Sequence, residues 1–251
     1  MTSRAVGVDI GGTGIKGALV DVASGELLSE RIKYDTPPDA TPDDILAVLT
    51  KIIGDIGPDQ NSLPMGVCFP AVVRNGVTKT ATNVSQAWID FPAENYLEEK
   101  LGREIAFLND ADAAGVAEAH YGAAKDVAGL VIVTTLGTGI GGAMLHNGVL
   151  IPNFEIGHLE LDGVVVETTT SRAAAREADL SFDEWAKLLE RFYRHLDRVF
   201  SPDLIVVGGG VSKQADQFLP LIDSPTPLVE AALKNNAGIM GAAYLAATQR
   251  A

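Results

Sequence analysis

One cysteine, Cys68, is all the thiol chemistry in this chain of 251 residues. It excludes an intrachain disulfide and any cysteine-rich metal centre built by one copy. Its apolar setting, MGVCF, reads as a buried and inert thiol. Long apolar runs are missing too, and no basic segment followed by an apolar one opens the sequence. A soluble, cytoplasmic protein without a membrane partner is therefore expected. Positive charge is scarce: 19 Lys and Arg stand against 33 Asp and Glu, for a net charge of −14. A phosphate backbone rewards a basic surface, so no nucleic-acid partner is expected. A small anion remains compatible, because a local phosphate site needs only a few donors, backbone amides included.

What the sequence does have is glycine in patterned places. The opening VGVDIGGTGIKGALVDV uses the vocabulary of nucleotide sites without either common grammar. It lacks the GxxxxGK of a P-loop, and no helix follows the glycines as a dinucleotide fingerprint requires. β-Formers flank the turn on both sides, so the glycines join strand to strand. The pattern returns half a chain later. GTGIKGA at 12–18 and GTGIGGA at 137–143 differ only at Lys16 and Gly141. Strand, glycine turn, strand, short turn and strand follow one another in both places, the third strand being ELLSERIKY (26–34) in the first and VLI in the second. The first half continues with a helix introduced by Thr41-Pro42, a strand (MGVCF), a helix (AENYLEEKLG), a strand (EIAFL) and a helix (DAAGVAEAHYGA). After a longer connection the second half gives a helix capped by Ser181, a strand (DLIVVGG), a short helix (QADQFLPLI), a strand (PLVEA) and the helix AGIMGAAYLAAT.

The expected fold is thus α/β, with βββαβαβα written twice and a central cleft between two lobes. The first lobe is expected over 1–108, with the C-terminal helix at 236–251 a candidate to complete it. The second is expected over 109–235. Paired hairpins would offer amides to phosphate, since glycine lets a ligand approach the backbone closely. Asp9 has no acidic counterpart, Thr134 occupying the equivalent place, and Lys16 is replaced by Gly141. That asymmetry points to Asp9 as the residue that positions Mg²⁺, through water, and to Lys16 as an offset to phosphoryl charge. Asp110 ends an apolar strand and begins a helix, so from its position it is either a general base or a helix N-cap. Asp112 is the rival carboxylate.

DIGGTGIKGALVD, LNDADAAG, TLGTGIGGA, EIGH and IVVGGGVS, in that order, resemble the ROK group of sugar kinases within the actin/hexokinase/Hsp70 superfamily. IPNFEIGHLE, SPDLIVVGGGVSK and LKNNAGIMGAA extend the likeness along nearly the whole chain, to the polyphosphate glucokinase branch. The resemblance implies a two-lobed actin/hexokinase-like (ribonuclease H-like) fold and usually a homodimer. It also implies phosphoryl transfer from polyphosphate, ATP or both to the 6-hydroxyl of glucose with Mg²⁺. It assigns Asp110 as the base that accepts the hydroxyl proton.

Asn83, Asn109, Glu155, His158 and Glu167 would join Asp110 in holding the sugar, since carboxylates, amides and imidazole together serve hydroxyls that both donate and accept. Glu-x-x-His alone also reads as metal ligation, and Asn83 also reads as an Asx-turn. The donor would lie on Asp9, Gly11, Gly12, Thr13, Gly14 and Lys16, on Gly137, Thr138 and Gly139, and on Gly208, Gly209 and Gly210. Many ROK members carry a zinc-binding CxCGxxGCxE segment after the EIGH histidine. This chain has no cysteine there, so no zinc site is expected.

Two departures bear on the donor. TTTS follows Glu167, and SQAW fills the sugar loop, where relatives of this branch carry basic residues. A polyanion would lose more by that change than ATP would. The alternative is an ATP-dependent kinase of mannose or another hexose. Less favoured are a sugar-responsive regulator, which would need a helix-turn-helix ahead of a strand that begins near Arg4, and a nucleotide-binding filament protein.

Overall fold

The computed structural model describes residues 3–57, 62–81 and 84–248. Two compact units emerge, one of residues 1–117 with 236–251 and one of 118–235. The division falls inside a helix rather than at the expected 108/109 boundary.

The first unit runs β1 (Arg4–Ile10), β2 (Ile15–Asp21), β3 (Ile32–Tyr34), α1 (Pro42–Ile56), β4 (Met65–Phe69), β5 (Val73–Arg74), β6 (Val77–Thr78), α2 (Ala93–Leu101), β7 (Ile105–Asn109) and the start of α3 (Asp110–Tyr121). The second runs β8 (Leu130–Leu136), β9 (Ile140–His146), β10 (Val149–Ile151), β11 (Glu160–Leu161), β12 (Val164–Val165), α4 (Glu167–Thr170), α5 (Arg172–Glu177), α6 (Phe182–Phe200), β13 (Leu204–Gly208) and β14 (Leu228–Glu230). The chain then returns to the first unit as α7 (Ala237–Thr248). Among the described residues no helix is long and apolar enough to cross a membrane.

The sheets share one topology, β3-β2-β1-β4-β7 in the first unit and β10-β9-β8-β13-β14 in the second. In each, a β-meander feeds two parallel strands. Alternation decides which face each strand residue covers. Val6, Val8 and Ile10 enter one core with Ile45, Leu49 and Ile52 of α1 and Leu97 of α2. Ala5 faces the other way, towards Ile239, Ala243 and Ala247 of α7. On that second face Gly7 and Gly66 let the helix lie close. A Cβ on Gly7 would fall 2.0 Å from the Ile239 carbonyl oxygen, and one on Gly66 1.9 Å from that of Ala242. In the second sheet Ile132, Ile205 and Val207 pack with Trp185, Leu189, Phe192 and Leu196. The longest helix, α6, therefore covers one face of that sheet.

Helix starts follow their caps. Thr41 and Asp44 form a reciprocal capping box at α1, as Ser181 and Glu184 do at α6. Three expectations need correction. The third strand, expected over 26–34, forms a ladder only at Ile32–Tyr34, with an isolated bridge between Leu27 and Val20 before it. Ser29 interrupts it, its hydroxyl accepting the Leu19 amide at 3.0 Å where a strand carbonyl would otherwise sit. The short helix expected over 214–222 is two 3₁₀ segments, Ser212–Gln217 and Leu219–Leu221. Phe218 departs from helical geometry between them, at φ −131° and ψ −34°, and Pro220 has no amide to give. Two small hairpins, β5–β6 and β11–β12, add to the expected elements. Asn75-Gly76 and Asp162-Gly163 turn them with positive φ at both positions.

The third correction concerns the repeat itself. In the first hairpin Asp9 lies opposite Lys16; in the second it is Thr135 that lies opposite Gly141. Thr134 is buried and shares a 3.0 Å hydrogen bond with Tyr193. The first turn, Gly11–Gly14, is one residue longer than Gly137–Gly139. Matching glycine to glycine after the turn therefore shifts the preceding strand by one position. Thr135 is the structural counterpart of Asp9.

Candidate active site

In the first unit the Gly11–Gly14 turn closes on itself, the Gly11 amide donating to the Gly14 carbonyl at 3.1 Å. Thr36 braces it by donating its hydroxyl proton to the Gly11 carbonyl at 2.5 Å. Gly12 and Thr13 are left exposed at the tip. Behind the turn, Asp9 Oδ2 meets Lys16 Nζ at 3.2 Å, and the Cys68 thiol donates to Asp9 Oδ1 at 3.6 Å. The first turn of α7 presses on the same carboxylate. A Cβ on Gly238 would lie 3.0 Å from Asp9 Cγ, so only glycine brings this helix start so close. A helix N-terminus is a favourable neighbour for a carboxylate.

Cys68 is fully buried, and burial pushes its thiol pKa well up, with the charges of Asp9 and Asp110 adding to the shift. A thiol held protonated is a poor nucleophile, in keeping with the inert reading. Strand register sets Asp9 beside Cys68, and Cys68 beside Leu108, two residues before Asp110.

Asn109 and Asp110 divide the work at the start of α3. Asn109 is the cap: its Oδ1 accepts the amides of Ala111 at 2.8 Å and Asp112 at 3.1 Å. Its Nδ2 donates to the Ala71 carbonyl at 3.1 Å, which leaves one amide hydrogen for another acceptor. Asp110 is the first residue of the helix, half-buried, with Oδ1 accepting the Ala111 amide at 2.8 Å. The capping role is thus filled by its neighbour. Asp112 is buried on the next step of the helix. Asn83 lies outside the described residues.

The second unit gathers the other group. Glu155 precedes a single 3₁₀ turn, Ile156–His158. In such a turn residues three apart eclipse, which sets Glu155 and His158 on one side. His158 Nε2 is 3.5 Å from Glu167 Oε1. The other oxygen of Glu167 accepts the Ile140 amide at 3.2 Å, just after the second glycine turn. Gly139 and Gly157 make room for this: a Cβ on Gly139 would fall 2.5 Å from Glu167 Oε2, and one on Gly157 2.3 Å from the Ile140 carbonyl. Glu155, His158, Glu167 and the Gly137–Gly139 turn are therefore one cluster.

Gly137 is fixed from behind, its carbonyl accepting the Ala173 amide at 3.1 Å at the start of α5. Gly208 pairs with Thr135, and Gly209, at φ +88°, packs on Leu136, where a Cβ would fall 2.4 Å from the backbone nitrogen. Both glycine segments named for the donor in this unit meet at the end of β8.

Burial, offset in part by His158 and reinforced by Glu167, raises the Glu155 pKa above the usual carboxylate value. A raised acid pKa means that the fold prefers the protonated form. That contribution favours the fold at low pH and is lost as pH rises through the folded-state value. Glu155→Gln is therefore expected to show a thermal midpoint at pH 7 equal to or above that of the unmodified chain, the difference closing by pH 4. Differential scanning fluorimetry at the two pH values reads it. A clearly lower midpoint at pH 7 would contradict it.

One buried residue went unnoticed in the sequence. Glu118, 1% exposed, accepts the amides of Ala123 at 2.7 Å, Ala232 at 3.1 Å and Leu233 at 2.9 Å. It ties the end of α3 to the segment that leads back to α7. Nothing in AEAHYGA marks it apart from a carboxylate that follows the apolar run AAGVA.

The family model described as "ROK family" matches residues 5–174. The polyphosphate glucokinase of Mycobacterium tuberculosis (strain CDC 1551 / Oshkosh) is 44% identical over 94% of this chain and 89% of its own length. The crystal structure of the inorganic polyphosphate/ATP-glucomannokinase from Arthrobacter sp. strain KM aligns over 99% of this chain and 100% of its own, at 45% identity and a TM-score of 0.93. A ROK family glucokinase from Streptomyces griseus, solved with glucose and AMPPNP, aligns over 96% of this chain and 98% of its own, with 26% identity and a TM-score of 0.79. These likenesses run through both units and both glycine hairpins, and the chain belongs to the ROK family of sugar kinases.

Proposed function

We propose that this protein transfers a phosphoryl group from polyphosphate, ATP or both to the 6-hydroxyl of glucose. The carrying observation is the 44% identity to a polyphosphate glucokinase across 94% of the chain. What supports a mechanism is the arrangement at the start of α3, where Asn109 fills the capping role beside the half-buried Asp110 carboxylate. A sugar hydroxyl is a weak nucleophile at neutral pH. Asp110 accepts its proton as the oxygen attacks phosphorus, and the electron pair of the broken P–O bond leaves with the donor chain. Glu155, His158 and Glu167 accept and donate hydrogen bonds to the other hydroxyls, with Asn109 offering its remaining amide hydrogen. The tips of both glycine turns give amides to the phosphates, and Lys16 offsets their charge.

Mg²⁺ fits the residues present. Among the described residues no group of three or more His, Cys, Asp or Glu is placed to enclose a metal. Mg²⁺ instead takes one or two carboxylates together with waters and substrate phosphates. Asp9, beside a glycine turn and on the strand next to the one that carries Cys68, is such a donor. The ion would neutralise charge on the transferring group. A homodimer in the cytoplasm, without a zinc site, completes this reading.

The test incubates the purified chain with glucose, Mg²⁺ and either polyphosphate or ATP, and measures glucose 6-phosphate. Product is expected from at least one donor, and none from either would reject the proposal. A panel including mannose reads the alternative of a different or broader hexose specificity. The Arthrobacter relative, described as a glucomannokinase, favours including it.

A further inference from the structure

We propose that Lys33, on β3, is a second cation for the phosphoanhydride chain, placed beyond Lys16 on the first glycine turn. This deepens the kinase reading and rests on it for the identity of the ligand. The strand register carries the argument. Asp9 is opposite Lys16 across β1–β2, and Lys16 is opposite Lys33 across β2–β3. Directly opposed residues of antiparallel strands project to the same face, so the three side chains form one row. Asp9 and Lys16 meet in that row at 3.2 Å.

Lys33 is exposed and makes no ion pair among the described residues, but its tip is not loose in solvent. Its Cε lies 2.9 Å, and its Nζ 3.8 Å, from where a Cβ of Gly14 would stand. The absence of a side chain at Gly14 makes room for the end of Lys33 beside the turn whose tip is Gly12 and Thr13. Like charges opposed across strands are unfavourable in themselves. A phosphate chain laid along the row turns that cost into attraction, because adjacent anionic groups meet adjacent cations.

The second hairpin serves as an internal comparison. Thr135 and Gly141 replace Asp9 and Lys16, and the β10–β9 pairing ends at Ile151 opposite Met144, so no lysine is paired opposite Gly141 as Lys33 is opposite Lys16. Two hairpins of the same topology thus differ by a row of three charged residues. Sheet geometry alone does not require that row. The chain as a whole carries 19 Lys and Arg against 33 Asp and Glu, which makes each lysine beside a polyanion matter more.

The experiment compares Lys33→Gln, Lys33→Arg and, as a control for net charge, Lys100→Gln on α2. Inorganic tripolyphosphate and ATP are titrated separately into each full-length protein by calorimetry at low salt, and donor KM is measured where turnover occurs. Lys33→Gln is expected to weaken tripolyphosphate binding about fivefold, the upper end for one exposed charge pair, with kcat and the glucose KM nearly unchanged. Lys33→Arg restores most of the affinity, Lys100→Gln changes it little, and the difference shrinks in high salt. A matching loss for ATP would extend the site to nucleotide donors; a loss for tripolyphosphate alone would assign it to the inorganic chain. Unchanged tripolyphosphate affinity in Lys33→Gln, an equal loss in Lys100→Gln, or no binding by the unmodified chain would overturn the proposal. If tripolyphosphate binding falls as expected but no donor yields glucose 6-phosphate, the kinase reading fails while the anion site stands.

Discussion

Asp110→Asn is expected to lower kcat by about 10²–10⁴-fold, the usual contribution of a positioned general base, while glucose still binds. The change is as small as a substitution can be. Asparagine keeps an oxygen to accept the Ala111 amide, so the hydrogen bond at 2.8 Å can persist, and the Asn109 cap is untouched. What disappears is the capacity to take a proton. A fall in kcat with an unaltered glucose affinity, read by coupled turnover and calorimetry, therefore separates chemistry from folding and binding. Asp112→Asn is the internal comparison. Asp112 is 2% exposed, so its substitution should act through stability more than through proton transfer. Near-normal turnover in Asp110→Asn would exclude this residue as the base and return attention to Asp112.

That prediction depends on something the sequence left open. From its position alone Asp110 was as good a cap as a base, and only the geometry gives the cap to Asn109. Elements with strong local signals were legible. The capping box at Ser181 marks the start of α6, and a sustained apolar stripe carries it on to Phe200. The start of β3 was not legible, because Ser29 competes with the strand through its side chain and no alternation pattern records that. The register slip between the hairpins has a similar origin. Identity in GTGI anchored the comparison on the strand after the turn, whereas the extra glycine sits before it and moves Asp9 onto Thr135. Clustering of Glu167 with His158 was the least accessible to the sequence. It arises from a turn, two short strands and a short helix that bring together residues with no periodic relation.

Gly241→Ala should be the most damaging single methyl in the first unit. A Cβ on Gly241 would fall 1.8 Å from the Ala113 carbonyl oxygen, where α7 meets α3. Backbone, unlike a flexible side-chain tip, cannot move aside locally. The helix must shift as a body, and Gly7 and Gly66 already hold its other side against β1 and β4. The expected loss is about 3 kcal/mol, at the upper end for overpacking. For a chain of this size that is a fall of roughly 6–12 °C in the thermal midpoint. Gly54→Ala in α1 provides the opposite case. Gly54 is exposed and nothing lies within 4 Å of its added methyl, so helix propensity alone should raise stability by up to about 1 kcal/mol. Since α7 also brings Gly238 against Asp9, a shifted helix should disturb that carboxylate as well. Gly241→Ala is accordingly expected to lose donor affinity along with stability, whereas Gly54→Ala keeps its kinetics. Equal stability of the two variants in denaturant titrations would mean that α7 has more freedom on this sheet than its glycines imply.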